Sequence, residues 1–157
     1  MVLTTAGKKA FVFSLPNQEG ETVSLDDFSG RWVVLYFYPK DDTPGCTIEG
    51  IDFTHLLPQF RKAGAEVVGI SPDSGKSHCK FQAKHKLKVM LLSDVEKRVL
   101  NAYGVWGKKK FMGREYEGVL RTTILIDPEG KVAFLWEKVS VKGHAAAVLE
   151  KLKELTA

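Results

Sequence analysis

Residues Trp32 to Tyr38 form an unbroken apolar run of β-formers, and this run constrains the fold more tightly than any other feature of the chain. A strand with one wet face alternates apolar and polar residues. A continuous run therefore predicts a central strand covered on both faces, as in α/β proteins. It is far too short to span a bilayer.

Helical and strand-like patterns alternate around it. Phe11 to Leu15 reads as a short strand, followed by a turn over Asn17-Gln18-Glu19-Gly20. Phe53, Leu56, Leu57 and Phe60 recur at helical spacing and predict a helix between Cys46 and Lys62. Pro58 falls inside that pattern and is expected to kink or divide it, and Gly64 stands where a helix would stop. Ala65 to Ser71 reads as a second buried strand, Gly75 to Lys86 as a helix, Val89 to Leu92 as a strand and Val95 to Tyr103 as a helix. Leu120 to Asp127 and Lys131 to Trp136 flank Pro128-Glu129-Gly130 and read as a β-hairpin. Ala145, Val148, Leu149 and Leu152 mark a terminal helix. Early β-α-β units followed by a late hairpin predict an α/β three-layer sandwich with a mixed central sheet.

With 157 residues, of which 44% are apolar, the chain suits one domain spanning 1–157. The start lacks a charged segment followed by an apolar one, so a secretory signal is not expected and the cytoplasm is the default location. A net charge of +4 with interspersed acids gives no footprint for nucleic acid. Lys108-Lys109-Lys110, with Arg114 close by, is expected as a solvated loop rather than a nucleic-acid patch. His55, His78, His85 and His144 show no ligand spacing and are expected at the surface or as helix caps, so no metal site is expected. The two cysteines, Cys46 and Cys79, form no C-x-x-C, which argues against a thioredoxin-type dithiol.

The segment from Tyr38 to Gly50 carries the chemistry. It leaves the carboxyl end of the central strand, crosses a polar turn and enters a helix, the edge where α/β sheets build ligand sites. Cys46 falls in the first turn of that helix. A thiolate is the reactive form of cysteine, and the positive end of a helix favours an anion. Pro44 and Gly45 shape the turn, and Thr43 can aim a hydroxyl into the same concavity. By residue type alone, Cys46 is equally readable as a small core residue.

Pro39-x-x-x-Thr43-x-x-Cys46 resembles the peroxiredoxin motif, and Thr43-Pro44-Gly45-Cys46-Thr47 resembles the bacterioferritin comigratory protein (PrxQ) subfamily. The stretches Gly69 to Ser74 with Ser77 and His78, Leu91 to Asp94, and Gly118 to Thr123 are similar to that subfamily as well. The resemblance extends from about Phe11 to the last helix. It implies a thioredoxin-like fold and a thiol peroxidase acting on hydrogen peroxide and organic hydroperoxides, with Cys46 passing through a sulfenic acid. It makes Arg121 the active-site arginine, Thr43 and Pro39 members of the site, and thioredoxin or a similar thiol the reductant. It implies no metal or organic cofactor. A monomer with no membrane partner is expected.

Two residues keep alternatives open. Glu49, one turn after Cys46, is expected either to orient the arginine or to complement the helix N-terminus. Many members of the subfamily carry a second cysteine at the position of Ile51, so Cys79 is the remaining thiol that can resolve the sulfenic acid. Otherwise Cys79 packs as a small apolar side chain with Ala83 and Leu87, and an external thiol does the resolving. A thiol-disulfide oxidoreductase, a binding module with a structural Cys46, and a chaperone or nucleic-acid role are the competing readings.

Overall fold

The computed structural model describes residues 2–157. Its centre is a five-stranded mixed sheet in the order β5-β4-β3-β8-β9. The central strand β3 (Trp32–Phe37) lies parallel to β4 (Ala65–Ser71) and antiparallel to β8 (Thr122–Ile126). Strand β5 (Met90–Ser93) extends the sheet beside β4, and β9 (Val132–Trp136) closes the other edge beside β8.

The apolar run resolves into two faces because successive strand residues point to opposite sides. Val33, Leu35 and Phe37 enter one core cluster, while Val34, Tyr36 and Tyr38 enter the other. The second cluster is covered by α1 (Pro44–Lys62) and α4 (His144–Thr156), joined by Phe81 of α2 (Gly75–His85). The first is covered by the chain around β1 (Ser14–Pro16) and β2 (Thr22–Ser24), a 3-10 turn over Leu25–Phe28, and α3 (Arg98–Ala102). The result is the expected three-layer α/β sandwich with a mixed central sheet.

Four expectations need correction. Pro58 does not divide its helix: α1 runs unbroken across it. Pro58 is exposed and forfeits its own hydrogen bond, while buried Phe53, Leu57 and Phe60 hold both halves to the core. Helix α3 begins at Arg98, not Val95, because Lys97 adopts a left-handed conformation and Asp94 Oδ2 accepts the Leu100 N–H at 2.8 Å. The first strand starts at Ser14 rather than Phe11.

The fourth correction is the lysine run, which lies in a strand. Strands β6 (Trp106–Phe111) and β7 (Arg114–Val119) form a separate two-stranded ribbon. Met112 and Gly113 join them, both at positive φ, as a two-residue hairpin turn requires. No helix among the described residues is long and apolar enough to cross a membrane.

Candidate active site

Helix α1 starts at the carboxyl end of β3, with Thr43 as N-cap and Pro44 in the first helical position, where its missing N–H costs nothing. The first intrahelical bond runs from Thr47 N to the Thr43 carbonyl, so the N–H groups of Gly45 and Cys46 lie ahead of the ladder. Cys46 is buried, 2% exposed, and packs in the core cluster under α1 and α4.

Arg121 reaches this helix end from the residue before β8. Its Nη2 donates to Cys46 Sγ at 3.3 Å and its Nη1 to Glu49 Oε1 at 2.7 Å. Gly45 makes room for it, since a Cβ there would stand 3.2 Å from Nη2. Burial disfavours the guanidinium charge, but Glu49 and Cys46 hold the Arg121 pKa above its ordinary value. Glu49 is 1% exposed, and its Oε2 has no hydrogen-bond partner. Burial pushes its carboxyl up to about 7, against the pull of Arg121. Glu49 thus contacts the arginine and lies outside the first turn of α1.

The remaining site residues fall as follows. Pro39 is half-buried in the turn between β3 and α1. Thr43 Oγ1 donates to the Lys40 carbonyl at 2.8 Å, so its proton is not aimed at the thiol. Cys79 sits on α2, exposed, with Sγ donating to the Gln18 carbonyl at 2.9 Å. It faces the β1–β2 turn rather than Cys46, and both thiols are free.

Several neighbours carry no signal in the sequence. Tyr36 stacks on Phe53 at 4.7 Å, and burial, with Glu49 and Cys46 nearby, raises its pKa well above the usual value. It is a neutral wall. His144, the first residue of α4, meets Thr123 Oγ1 at 2.8 Å. Burial and then Arg121 lower its pKa to about 4, so it is uncharged near neutrality. Lys109 on β6 donates to the Val119 carbonyl at 3.1 Å and lies within electrostatic reach of Arg121 and Cys46.

His78 and His144 are buried and neither caps its helix, which corrects their expected placement at the surface or as caps. His78 belongs to a brace under the β3–α1 turn. Asp41 accepts from Tyr38 OH at 2.6 Å and Ser77 Oγ at 2.8 Å, and meets His78 Nδ1 at 2.7 Å. The Asp41 N–H and Ser71 Oγ in turn donate to Asp73 Oδ2. The ligand-type atoms of Asp41, Asp73 and His78 lie within 4.8 Å of one another. Hydroxyl and amide donors already point at both carboxylates, the pattern of a brace pinning the turn.

The geometry has close counterparts. The sequence profile of the AhpC/TSA family matches residues 6–135. Peroxiredoxin Bcp of Bacillus subtilis is 47% identical over 150 residues, covering 96% of each chain. Peroxiredoxin Bcp of Escherichia coli is 43% identical over 149 residues, covering 95% of this chain and 96% of its own. Among solved structures, the bacterioferritin comigratory protein of Xanthomonas campestris, studied for alkyl peroxide reduction, is 42% identical with a TM-score of 0.89 over 100% of both chains. A buried cysteine at a helix start under a bridging arginine, on a thioredoxin-like fold, agrees with these likenesses: the chain belongs to the AhpC/TSA family and is a peroxiredoxin, a peroxidase of the Bcp (PrxQ) type.

Proposed function

We propose that the protein reduces hydrogen peroxide and organic hydroperoxides through Cys46, and that Arg121, Thr43 and Pro39 complete the site. The observation that carries this reading is the Arg121 guanidinium bridging Cys46 Sγ and Glu49. The Cys46 thiolate attacks one peroxide oxygen. The S–O bond forms as the O–O bond breaks, the sulfur becomes a sulfenic acid, and the leaving oxygen departs as hydroxide or alkoxide and takes up a proton. Arg121 and the free N–H groups at the helix start oppose the negative charge that develops. Thr43, its proton committed to the Lys40 carbonyl, offers lone pairs to the peroxide O–H. Pro39 limits water at the thiolate.

Cys79 then displaces water from the sulfenic acid to give a disulfide, which thioredoxin or a similar dithiol reduces. A bridge needs Cα atoms about 4.4–6.8 Å apart. Cys79 must first leave the Gln18 carbonyl, and bridging requires the first turn of α1, with the Cys79 segment of α2, to unwind locally. That same contact favours a second reading, in which Cys79 stays in place and an external thiol resolves Cys46. We propose further that residues 1–157 form one domain and that the protein is a cytoplasmic monomer. The test is steady-state consumption of hydrogen peroxide and cumene hydroperoxide with excess thiol. Cys46→Ser should lose turnover with both peroxides while keeping the parent's circular dichroism; turnover near the parent's would refute the assignment.

A further inference from the structure

The β6–β7 ribbon separates its charges by face. In an antiparallel pair, directly opposed residues share a side of the sheet. Lys108 opposes Glu117, Lys110 opposes Glu115, and Trp106 opposes Val119. Trp106 and Val119 join the first core cluster, so this face continues that core outward and holds both acids of the ribbon. Its charges are balanced, and Trp106 Nε1 donates to Glu117 Oε2 at 2.9 Å.

The other face pairs Gly107 with Gly118, Lys109 with Tyr116, and Phe111 with Arg114. It carries two cations, two aromatic rings and no acid. Phe111 is 66% exposed and Tyr116 45%, so the rings are not there to fill a core. Lysines on a free edge guard against strand pairing, which accounts for Lys108 and Lys110 but not for exposed rings beside Arg114. This face also runs toward the site: Lys109 lies within electrostatic reach of Arg121 and Cys46, and β7 leads through Leu120 into Arg121.

We infer that this face is the docking platform for a protein dithiol reductant with an acidic, partly apolar surface around its reactive thiols. The inference rests on the proposed recycling by thioredoxin and adds the place of contact. A small peroxide can diffuse to the buried Cys46 sulfur without a platform. A protein must rest on whatever projects beside it, and aromatic and arginine side chains together are the usual anchors of such contacts. Charge complementarity fixes the sign of the partner.

The test compares Phe111→Ser, Arg114→Gln and Lys110→Gln. The last removes one charge from the opposite face and serves as control. Peroxide turnover is driven by thioredoxin in one arm and by dithiothreitol in the other. Phe111→Ser and Arg114→Gln should each raise the KM for thioredoxin about tenfold, with dithiothreitol-driven turnover unchanged. Lys110→Gln should match the parent in both arms. Equal KM values across all proteins would overturn the platform while leaving recycling intact. An equal loss in Arg114→Gln and Lys110→Gln would reduce it to net charge. A slower reaction of Phe111→Ser with cumene hydroperoxide in single turnover would reassign the face to the substrate. A parent that turns over with dithiothreitol but not with thioredoxin would remove both the recycling reading and the platform.

Discussion

Arg121 Nη2 lies 3.3 Å from Cys46 Sγ, although 75 positions separate the two residues in the chain. The contact exists because β8 lies directly beside β3, so the residue before β8 comes level with the turn that follows β3. The same guanidinium serves Glu49, and a single cation is thus shared by two groups on one helix turn.

Arg121 should matter for the chemical step more than for the fold. Removing one oriented donor typically costs about 3 kcal/mol of transition-state stabilisation, roughly a hundredfold in rate. Arg121→Gln should slow Cys46 oxidation by that order in stopped-flow fluorescence. Arg121→Lys keeps the charge but loses the fork that reaches both partners, and should recover only part of the rate. Parental rates in Arg121→Gln would remove the arginine from the mechanism.

Glu49 should make stability depend on pH. Its carboxyl is raised from 4.5 to about 7 in the fold. Between those values the folded protein holds a proton that the unfolded chain has released, so Glu49 lowers stability as pH rises across that window, by on the order of 3 kcal/mol in total. His144 acts in the opposite sense. With a folded pKa of about 4 against 6.5, it favours the fold increasingly as pH rises between those two values. The parent's curve sums both, and the difference between variant and parent isolates Glu49. Glu49→Gln should gain on the parent as pH climbs through the window in urea unfolding. A pH-independent difference would show that Glu49 does not titrate there.

Gly69 should tolerate no side chain. A Cβ at that position in β4 would stand 2.7 Å from Tyr36 Cζ, and Tyr36 borders Glu49 and Cys46. Gly69→Ala should cost about 1–3 kcal/mol in denaturant unfolding, as overpacking does, and slow peroxide reduction by displacing the ring. Unchanged stability would mean that the ring moves freely.

The sandwich was legible because its signals are local. The run from Trp32 to Tyr38 announces a covered strand, and Phe53, Leu57 and Phe60 announce the helix packed on it. The turn before Cys46 was legible, but it left the cysteine equally readable as a core residue, and only the resemblance favoured the reactive reading. The Arg121 bridge was not readable from pattern, since it depends on which strand lies beside β3; only the resemblance pointed to it. The brace of Asp41, Asp73 and His78 draws on three segments and has no period. Lys108-Lys109-Lys110 misled because composition alone cannot show that strand alternation sends the middle lysine to the other face.

Cys79 should report on how the sulfenic acid is resolved. After one equivalent of peroxide without added thiol, peptide mapping of the parent should show a Cys46–Cys79 disulfide. A sulfenic or sulfinic Cys46 with Cys79 still alkylatable would favour resolution by an external thiol, with Cys79 held on the Gln18 carbonyl.

The most direct test of Cys46 as the attacking residue is intact and tandem mass spectrometry of Cys79→Ser after one equivalent of hydrogen peroxide, trapped with dimedone. The account predicts a single dimedone adduct, located on Cys46, and no adduct in Cys46→Ser treated in the same way. An unmodified Cys46 with the peroxide consumed, or an adduct at any other residue, would contradict it.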